Sequence, residues 1–303
     1  MKTIKVSVGI PAYNEEKNIS RLIGKILTQK EIGFKLLEII VISDGSTDKT
    51  AALVRSIGNR RIKFFDDGKR LGQAARQNQM IAKFKGDVLV LAEADTVPSN
   101  NLTLAHLIKP YLDFKNKKIG MVVGRDLVEN PKTFFEGVFA CGNEMKQRVF
   151  DEWKGGDNLY NSGGHTMRAV SRSYASKLFF PSDAPEDCYS YLRLKELGFL
   201  MVRAKEARIL AKNIKTVGDR FSHSEKFYRG KLALYKYFDN QFVDCEYDFS
   251  KILLVKYLLL GFLKSPIYTA FAVLGFVVNY SKFADLDIKF NFKLRELSFF
   301  ERV

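Results

Sequence analysis

DVLVLAEADT, residues Asp87–Thr96, begins as a continuous apolar run and ends in two carboxylates. Such a run is typical of a central strand that is buried on both faces. Because residues i and i+2 of a strand point to the same side, we expect Glu93 and Asp95 to leave the same edge of the sheet. Their oxygen atoms suit Mg²⁺ or Mn²⁺, ions that commonly bridge carboxylates to phosphates. The alternative is an acidic strand end that only caps the next turn.

Upstream of this run, predicted strands alternate with amphipathic helices. Ile4–Ile10, Leu36–Ile42 and Ile62–Phe65 have strand patterns, and the helix after the first strand has an apolar face with a 3.6-residue period. We expect Pro11 to stop the first strand and Asn14 to cap that helix. Strand–helix units of about 25–30 residues predict an α/β fold with a mainly parallel, doubly wound sheet.

Three polar segments follow strands of this sheet. They are Pro11–Glu16, Asp44–Asp48 and Glu93–Asp95. Sheets of this class bind ligands at the carboxyl ends of their strands. We therefore expect the three segments to converge in one crevice.

The pattern is less regular beyond residue 100. Met121–Gly124 and Phe199–Val202 are predicted strands, and Asn161–Gly164 (NSGG) is a predicted flexible loop that brings backbone against a ligand. Pro185–Asp187 precedes a helix that ends at a glycine. Lys226–Phe238 has the pattern of a basic amphipathic helix.

Composition narrows the class of protein. The chain has 303 residues, of which 46% are hydrophobic and 27% charged, and this balance excludes disorder. A net charge of +15 suits an approach to acidic lipid, polyphosphate or nucleic acid. Cys141, Cys188 and Cys245 form no metal-binding spacing and predict reduced thiols in a cytosolic setting. No signal-peptide pattern is expected at the N-terminus.

The C-terminal part has a different composition. Ile252–Leu263 is interrupted only by Lys256, and Ser265–Ser281 contains no charged residue. A membrane-spanning helix needs about 20 apolar residues, so a span is marginal here. Three interpretations stay open: a hairpin on a membrane surface, one or two spans, and a dimer interface.

Six motifs carry a family resemblance when they are taken in chain order. They are VGIPAYNEE (Val8–Glu16), VISDGSTDKT (Val41–Thr50), RLGQAARQN (Arg70–Asn78), LAEAD (Leu91–Asp95), NSGG (Asn161–Gly164) and PEDCYSYLRLKELGF (Pro185–Phe199). Over about residues 4–230, the chain resembles the family 2 inverting glycosyltransferases, which have the GT-A fold. The resemblance implies transfer of a sugar from a nucleotide-diphosphate sugar, with inversion at the anomeric carbon.

The resemblance also implies a nucleotide site. Its residues are Pro11, Ala12, Tyr13, Glu15, Asp44, Arg70, Arg76, Glu93 and Ala94. Tyr13 is expected to stack on the base, Glu15 to accept from a ring N–H, and Asp44 to accept from a uracil-like imide or a ribose hydroxyl. Arg70 and Arg76 flank a helix start, where they are expected to hold diphosphate. Arg76 is equally consistent with a solvated helix residue.

Metal binding is expected at Asp95, which resembles the last acid of the family's Asp-x-Asp motif. Glu93 departs from the usual aspartate and is expected to reach a ribose or sugar hydroxyl. His223 lies 36 residues beyond Asp187, a distance at which a histidine completes the metal shell in many GT-A enzymes. An isolated histidine is also consistent with a structural role.

The catalytic base implied by the resemblance is Asp187, which stays ionised easily at a helix N-terminus. Glu186 is expected to position the acceptor or the helix. The expected contacts to acceptor or diphosphate are Gly163, Gly164, Arg220 and Arg229. Residues 226–230 (KFYRG) stand where polymer synthases carry Gln-x-x-Arg-Trp, which argues against a processive synthase.

The predicted organisation is a GT-A catalytic domain at residues 1–240, with a nucleotide-binding half at 1–98 and an acceptor half at 99–240. Residues 241–303 form a membrane-associating helical segment. The expected activity uses a UDP-sugar, with GDP-mannose next, and a divalent metal. The acceptor is a glycan or a lipid-linked molecule at the cytoplasmic face of the membrane. A homodimer is possible, and no nucleic acid is expected as a partner.

Three rival functions remain. A polyprenyl-phosphate sugar synthase would use GDP-mannose or UDP-glucose. A sugar nucleotidyltransferase would need a Gly-rich basic loop after the first strand, and Pro11–Glu16 is not such a loop. A degenerate nucleotide-sugar-binding scaffold is suggested only by Glu93, and the presence of Asp187 speaks against it.

Overall fold

The computed structural model describes residues 3–113, 118–128, 131–163, 167–211 and 217–277. Strands and helices alternate through the first hundred residues. They are β1 (Ile4–Ala12), α1 (Ile19–Leu27), β2 (Phe34–Ser43), α2 (Thr50–Ser56), β3 (Ile62–Phe65), α3 (Gln73–Lys83) and β4 (Val88–Leu91). The strand–helix alternation predicted from the sequence is therefore confirmed in this half.

The second half contains more helices than the sequence pattern predicts. Its elements are β5 (Val97–Pro98), α4 (Thr103–Asp113), β6 (Ile119–Val128), α5 (Phe134–Glu152), α6 (Leu159–Ser162), β7 (Arg168–Ser171), α7 (Arg172–Ala175), α8 (Glu186–Glu196), β8 (Leu200–Ala211), α9 (Val217–Leu234), α10 (Asn240–Tyr247) and α11 (Lys251–Lys264). Residues 266–277 are also helical. A 3₁₀ turn at Trp153–Gly156 joins α5 to α6, and the Trp153 ring lies 6.1 Å from that of Tyr160.

One eight-stranded sheet has the order β3-β2-β1-β4-β7-β6-β8-β5. Pairing is parallel for β1–β2, β2–β3, β1–β4 and β6–β8, and antiparallel where β7 meets β4 and β6 and where β5 meets β8. The sheet is thus mixed rather than a plain doubly wound one. Four-residue β7 was not predicted, because its place between β4 and β6 depends on long-range pairing that no local pattern encodes.

The sheet is buried on both faces. Along β4, Val88 and Val90 belong to one apolar cluster, while Leu89 and Leu91 belong to the other. Helix α1 packs into the first cluster and α8 into the second. This alternation confirms that the apolar run of β4 forms a central strand.

Pro11 does not stop β1, which continues to Ala12. The prediction was wrong because β1 pairs with β4 only from Val6 to Gly9, so no partner on that side needs an N–H from Pro11. Asn14 does not cap α1 either. Its backbone is left-handed (φ 53°), and its side-chain oxygen accepts from Thr47 N at 2.8 Å, so it joins the loops after β1 and β2.

The chain divides into two compact units. The first contains Met1–Asn130, Phe150–Asn213 and Ala233–Phe249, and the second contains Pro131–Val149, Ile214–Leu232 and Ser250–Val303. The sequence-based domain boundaries near residues 98 and 240 stay predictions. Among the helices that the structure describes, none combines the length and the apolar character needed to cross a membrane.

Candidate active site

Tyr13 and Asp44 follow two adjacent strand ends. Ala12 at the end of β1 is in register with Ser43 at the end of β2, and Asp44 N donates to Ala12 O at 2.7 Å. The two loops are joined further by Glu15 N, which donates to Thr50 Oγ1 at 2.7 Å. The carboxyl ends of these strands therefore bring an aromatic ring and a carboxylate to one edge of the sheet.

Asp44 is buried and accepts several hydrogen bonds. Its Oδ1 accepts from Leu71 N at 2.7 Å, from Gly72 N at 3.1 Å and from Arg76 Nε at 2.9 Å. Its Oδ2 shares the Gly72 N–H at 3.1 Å. These contacts fix the orientation of the carboxylate before any ligand binds.

Arg76 supports the loop that contains these donors. Its guanidinium, 1% exposed, also donates to both carboxylate oxygens of Asp67, at 2.8 and 3.0 Å, and to Lys69 O. The hydrogen bond from Arg76 lowers the pKa of Asp67. The interpretation of Arg76 as a direct diphosphate ligand or a solvated helix residue is corrected here, because its donors are used inside the protein.

Gly45 explains how closely this loop approaches β2. It has a φ of +71°, and a Cβ there would lie 3.0 Å from the Lys69 carbonyl carbon and 3.1 Å from Arg70 N. Only glycine meets both conditions without strain. Residues Asp66–Gly72, which we name the clamp loop, are therefore held by an ion pair on one side and by backbone packing on the other.

Arg70 lies on the ring of Tyr13. The guanidinium carbon is 3.7 Å from the ring centroid, a cation–π contact between two exposed side chains. A base that stacks on the same face of Tyr13 has to displace this guanidinium. The predicted contact of Arg70 with diphosphate remains a prediction.

The side chains of other residues in the expected nucleotide site are less able to contact a ligand. Glu15 Oε2 accepts from Asn18 Nδ2 at 2.6 Å. The methyl groups of Ala12 and Ala94 are buried in the core, and Pro11 is half-buried within β1. If these alanines contact a nucleotide, they do so through the backbone.

The two acids after β4 do not lie in a strand. β4 ends at Leu91, and Thr96 donates to Glu93 O from its backbone N at 3.2 Å and from Oγ1 at 2.9 Å, which closes a turn. The strand argument that placed Glu93 and Asp95 on the same side is therefore wrong. Both side chains are half-buried after the carboxyl end of β4.

Asp187 lies in the first turn of α8, as the sequence predicts. Its Oδ1 accepts from Cys188 N at 2.8 Å, and its backbone O accepts from Ser190 Oγ at 2.8 Å. A Cβ on Gly163 would lie 2.6 Å from Asp187 Oδ2. A larger residue at 163 would therefore displace this carboxylate from its present position.

The NSGG segment is only partly a loop. Asn161 and Ser162 belong to α6, whose N-cap Asn158 accepts from Asn161 N, and Gly163 follows as the C-cap. Asn161 Nδ2 donates to Phe150 O at 2.8 Å and to Gly156 O at 3.0 Å. These bonds hold Gly163 in place beside Asp187, whereas Gly164 lies outside the described residues.

The ionised form of Glu186 is disfavoured at its position, and the adjacent Asp187 adds to this effect. Burial, together with the negative charges of Asp187 and Glu93, raises the pKa of the Glu186 carboxyl, although the charge of Arg168 opposes the shift. Arg168 is buried on β7 and donates to Ser190 Oγ at 3.2 Å. The acids of α8 and of the turn after β4 thus affect one another, with Arg168 as a nearby positive charge.

Thiol chemistry at this site is not favoured. Burial raises the pKa of the Cys188 thiol well above its ordinary value. A thiol is a good nucleophile only as the thiolate. The neighbouring carboxylates are therefore the groups that can take a proton.

Three predicted site residues, Arg220, His223 and Arg229, belong to α9 in the second unit. The side chains of Arg220 and His223 lie outside the described residues. Arg229 is exposed on α9 and pairs with Glu225 at 2.7 Å. Their predicted roles stay predictions.

Within the described residues, no group of three or more His, Cys, Asp or Glu side chains forms a metal site. The nearby acids nevertheless fit a hard divalent cation, because they offer oxygen donors and their charges repel one another. Asp95, two residues after Glu93, is the carboxylate that the sequence predicts would hold it. The ion would neutralise charge on the leaving group.

Sequence reasoning did not find Arg168 and Asp67. Arg168 lies on the unpredicted β7, and nothing in its local pattern marks it. Asp67 lies in an Asp-Asp-Gly turn, and its only signal is a position nine residues before Arg76. Long-range contacts give both residues their significance.

The sequence profile of Glycosyl transferase family 2 matches residues 7–179, which is more than half of the chain. The chain belongs to glycosyl transferase family 2. The matched segment includes Tyr13, Asp44 and Asp95, while Asp187 lies just beyond it. The family resemblance that the motifs indicate is therefore confirmed.

Curated relatives have matching segments at low identity. A 4,4'-diaponeurosporenoate glycosyltransferase of Staphylococcus aureus is 30% identical over 142 residues, which is 46% of this chain and 36% of the relative. An uncharacterized glycosyltransferase of Haemophilus influenzae is 31% identical over 98 residues, 32% of this chain and 38% of the relative. The matches thus span well under half the length of these relatives.

Solved structures show the same fold. A mannosyltransferase of Pyrobaculum calidifontis, in complex with GDP-mannose and Mn²⁺, has a TM-score of 0.59 and 18% identity, covering 92% of this chain and 76% of its own. S. aureus TarS 1–349 has a TM-score of 0.52 and 17% identity, covering 86% of this chain and 73% of its own. The fold is the mixed α/β GT-A fold of glycosyltransferases.

Proposed function

We propose that the protein transfers a sugar, with inversion, from a UDP-sugar to an acceptor hydroxyl or phosphate oxygen. The observation that carries this proposal is the Asp187 carboxylate, positioned at the start of α8 with space kept for it by Gly163. For a hydroxyl acceptor, Asp187 takes the proton as the oxygen attacks the anomeric carbon. The bond from that carbon to the diphosphate breaks on the opposite side.

The nucleotide lies at the ends of β1 and β2 in this proposal. Tyr13 and the oriented Asp44 are the groups that engage the base, and binding energy there positions the sugar. Glu186 is next to Asp187, the proposed catalytic base. The pKa of Glu186 is raised, so it holds its proton more tightly than an ordinary glutamate does. We assign it to acceptor positioning.

The test separates catalysis from binding. Asp187→Asn keeps the shape of the side chain but removes the proton acceptor, so transfer to a hydroxyl acceptor should fall by about 10²–10⁴-fold while donor affinity changes little. The measurement is product formation from labelled nucleotide sugars, together with donor titration. Glu186→Gln, the adjacent change of the same kind, should have the milder effect.

Two results would contradict this assignment. Transfer by Asp187→Asn at the wild-type rate would place the base elsewhere. Nucleotide-sugar binding with no transfer by the wild type to any lipid phosphate or glycan would favour a binding scaffold.

The acceptor in this proposal is lipid-linked, and the protein works on the cytoplasmic face of a membrane. Twelve large apolar side chains are exposed between residues 251 and 277: Ile252, Val255, Leu259, Leu260, Phe262, Leu263, Ile267, Tyr268, Phe271, Leu274, Phe276 and Val277. No residue of α11 is buried. This stretch contains three lysines and no acid. Apolar area with only positive charge suits an anionic lipid surface.

Aromatic contacts extend this surface within the second unit. Phe134, itself exposed at the start of α5, lies 5.4 Å from the Tyr268 ring and 5.2 Å from the Phe271 ring. Tyrosine side chains such as that of Tyr268 favour the level of lipid headgroups. The surface therefore has both the apolar and the interfacial chemistry of a peripheral membrane site.

Vesicle flotation tests the membrane proposal. Full-length protein should bind vesicles that contain anionic lipid, and Ile252→Gln with Leu263→Gln, at positions 83% and 84% exposed, should reduce binding. Phe179→Gln is the control, because Phe179 is 69% exposed in the first unit. Equal binding by all variants would contradict the proposal, and a soluble dimer that ignores vesicles would assign the surface to a second copy.

A further inference from the structure

We propose that Asn78 is a positioning residue for Asp187, and that it makes the position of this base depend on the helix that holds Asp44. The inference rests on the proposed sugar transfer and deepens it, because it links the donor site to the catalytic base. Its basis is the Asn78 side chain, which is hydrogen-bonded to the backbone of a residue 102 positions further along the chain.

The amide group of Asn78 makes two hydrogen bonds with the backbone of one residue. Its Nδ2 donates to Phe180 O at 2.8 Å, and its Oδ1 accepts from Phe180 N at 2.8 Å. A primary amide offers a donor and an acceptor side by side, so it can satisfy both backbone groups of one residue. Phe180 is 2% exposed and lies in the same apolar cluster as Ala74 and Met80 of α3. Phe180 is therefore attached to α3 through its backbone and through its side chain.

The segment 179–184 leads from this contact to the start of α8, where Asp187 lies. Within the described part of the chain, the backbone of this segment makes no backbone–backbone hydrogen bond. Asn78 supplies the two side-chain bonds that hold it. Pro181 and Pro185 have a fixed φ, which limits how far the segment can adjust. A displacement where Asn78 binds should therefore be passed on to Asp187.

A second anchor of this segment lies at the surface. Asp183 accepts from Lys236 Nζ at 2.5 Å and from the Tyr237 hydroxyl. The Lys236 side chain is 67% exposed, and an exposed ion pair contributes little to holding a segment in place. The half-buried Asn78 contact is therefore the stronger anchor.

The helix that carries Asn78 begins at the donor-binding carboxylate. Gly72 is the N-cap of α3, and its N–H donates to both oxygens of Asp44. The Arg76 side chain, one turn into the helix, donates to Asp44 Oδ1 at 2.9 Å. Asn78 follows two residues later, and helix positions two apart point in directions about 200° apart. One side of α3 thus contacts Asp44, and the other contacts the segment before α8.

Donor binding therefore has a route to the base. A ligand that binds at Asp44 in the folded protein stabilises the hydrogen-bonded start of α3 against local opening. Because Phe180 is attached to α3, the segment before Asp187 should open less often as well. The proton acceptor is then held most firmly when a sugar donor is present.

Transfer kinetics and UDP titration with Mn²⁺ test the inference on the full-length protein. Asn78→Ala should lower kcat by about tenfold to a hundredfold, because small displacements of a catalytic group are costly. UDP affinity should stay within about twofold, because Gly72 and Arg76 keep their contacts with Asp44. Asn78→Asp has the same size as the wild-type residue but lacks the donor, so a loss shared by both variants does not come from a cavity.

The matched control is Asn59→Ala. Asn59 Oδ1 accepts from Arg61 N at 2.9 Å in the turn before β3, so this variant also loses a bond from an asparagine side chain to the backbone. That turn leads to no residue of the proposed site. Asn59→Ala should therefore leave both kcat and UDP affinity unchanged.

Hydrogen exchange gives a readout that does not depend on transfer. In the wild type, UDP with Mn²⁺ should slow amide exchange in residues 178–187. In Asn78→Ala, which should still bind UDP, the nucleotide should leave exchange in this segment unchanged. A role of Asn78 in stability alone would speed exchange in the variant but preserve the response to UDP.

The outcomes separate this inference from the proposed function. Wild-type kcat in folded Asn78→Ala, or a response to UDP that survives in it, would overturn the inference and leave the transferase proposal in place. A loss of UDP affinity as large as the loss of kcat would also overturn it. UDP binding by a wild type that transfers no sugar would overturn the proposed function alone. If the Asn78 variants do not fold, exchange in the wild type decides, because an absent response to UDP in residues 178–187 overturns the inference.

Discussion

The strand-end site at Asp44 and the helix-start site at Asp187 are organised in opposite ways. Asp44 has a cationic partner, three N–H donors on one oxygen and a supporting loop that is itself anchored. Around Asp187, like charges act on one another and burial raises the pKa of Glu186. The first site is complete without its ligand, whereas the second is electrostatically unbalanced.

In the proposed function, this difference corresponds to two roles: recognition of the donor at Asp44 and catalysis at Asp187. Recognition of a donor benefits from groups that are already oriented, because the ordering cost is met during folding. Proton transfer and diphosphate departure benefit from a site where a proton or a cation relieves charge. We expect mutations in the Asp44 region to change which ligand binds, and mutations near Asp187 to change how fast the sugar moves.

After Asp187→Asn itself, the largest expected effect comes from Gly163→Ala. The new methyl group would lie 2.6 Å from Asp187 Oδ2, so the carboxylate has to turn away. A misplaced base should lower transfer by about 10²-fold, with little change in donor affinity. Steady-state transfer and UDP titration measure the two quantities separately.

The control for this variant is Gly24→Ala in α1, where a Cβ meets no atom within 4 Å. It should leave transfer unchanged and stabilise the helix by about 0.5–1 kcal/mol. If the Gly163→Ala variant transfers sugar at the wild-type rate, the Asp187 carboxylate does not need the position that it has in this structure. That result would weaken the contrast between the two sites.

A smaller effect is expected from Asp67→Asn. This change removes the negative charge that holds Arg76 and should loosen the clamp loop, lowering UDP affinity by about threefold to tenfold. Asp66→Asn is the matched control. Asp66 accepts from Gly68 N in the same loop and pairs with Arg55 rather than Arg76. Equal losses in the two variants would show that Arg76 does not transmit the effect.

The smallest expected effect is on stability, in Glu186→Gln. A raised pKa in the folded state means that folding favours the protonated acid, so this contribution is fully present below the ordinary pKa of 4.5 and is lost as pH rises through the folded value. Gln cannot ionise. The variant should therefore match the wild type at pH 4 and show a small gain in melting temperature at pH 8.

The measurement is the thermal unfolding of the wild type and of Glu186→Gln at pH 4 and pH 8. A wild type that is as stable as Glu186→Gln at pH 8 would contradict the charge imbalance described for the Asp187 region. Asp183→Asn is a useful control, because Asp183 is exposed and its pKa is lowered by hydrogen bonds from Lys236 and Tyr237. That substitution should shift stability in the opposite direction at pH 8.

The sequence predicted what depends on local pattern. Strands β2, β3 and β4 and the helix start at Asp187 were predicted from apolar periodicity and a Pro-Glu-Asp motif. Asp44 was correctly placed at a strand end, because parallel strands bring their carboxyl ends together. These features need no knowledge of distant contacts.

What was missed depends on pairing across the chain. Arg76 has the pattern of an ordinary helix residue, and only its contacts with Asp44 and Asp67 show that it is buried. Asn14 looked like a helix cap but bonds to Thr47, 33 residues away. Strand β7 lies between β4 and β6 without a local signal. Such contacts are set by the assembled sheet.

Trp153, the chain's only tryptophan, has a practical consequence for spectroscopy. It lies on the 3₁₀ turn that leads to α6, and α6 ends at Gly163 beside Asp187. All indole emission from the protein therefore comes from one position, near the proposed catalytic base. An acceptor that shifts α6 should change this emission without any attached dye, while UDP bound at Asp44 should leave it nearly constant. The order in which the two substrates arrive is thus observable in unmodified protein.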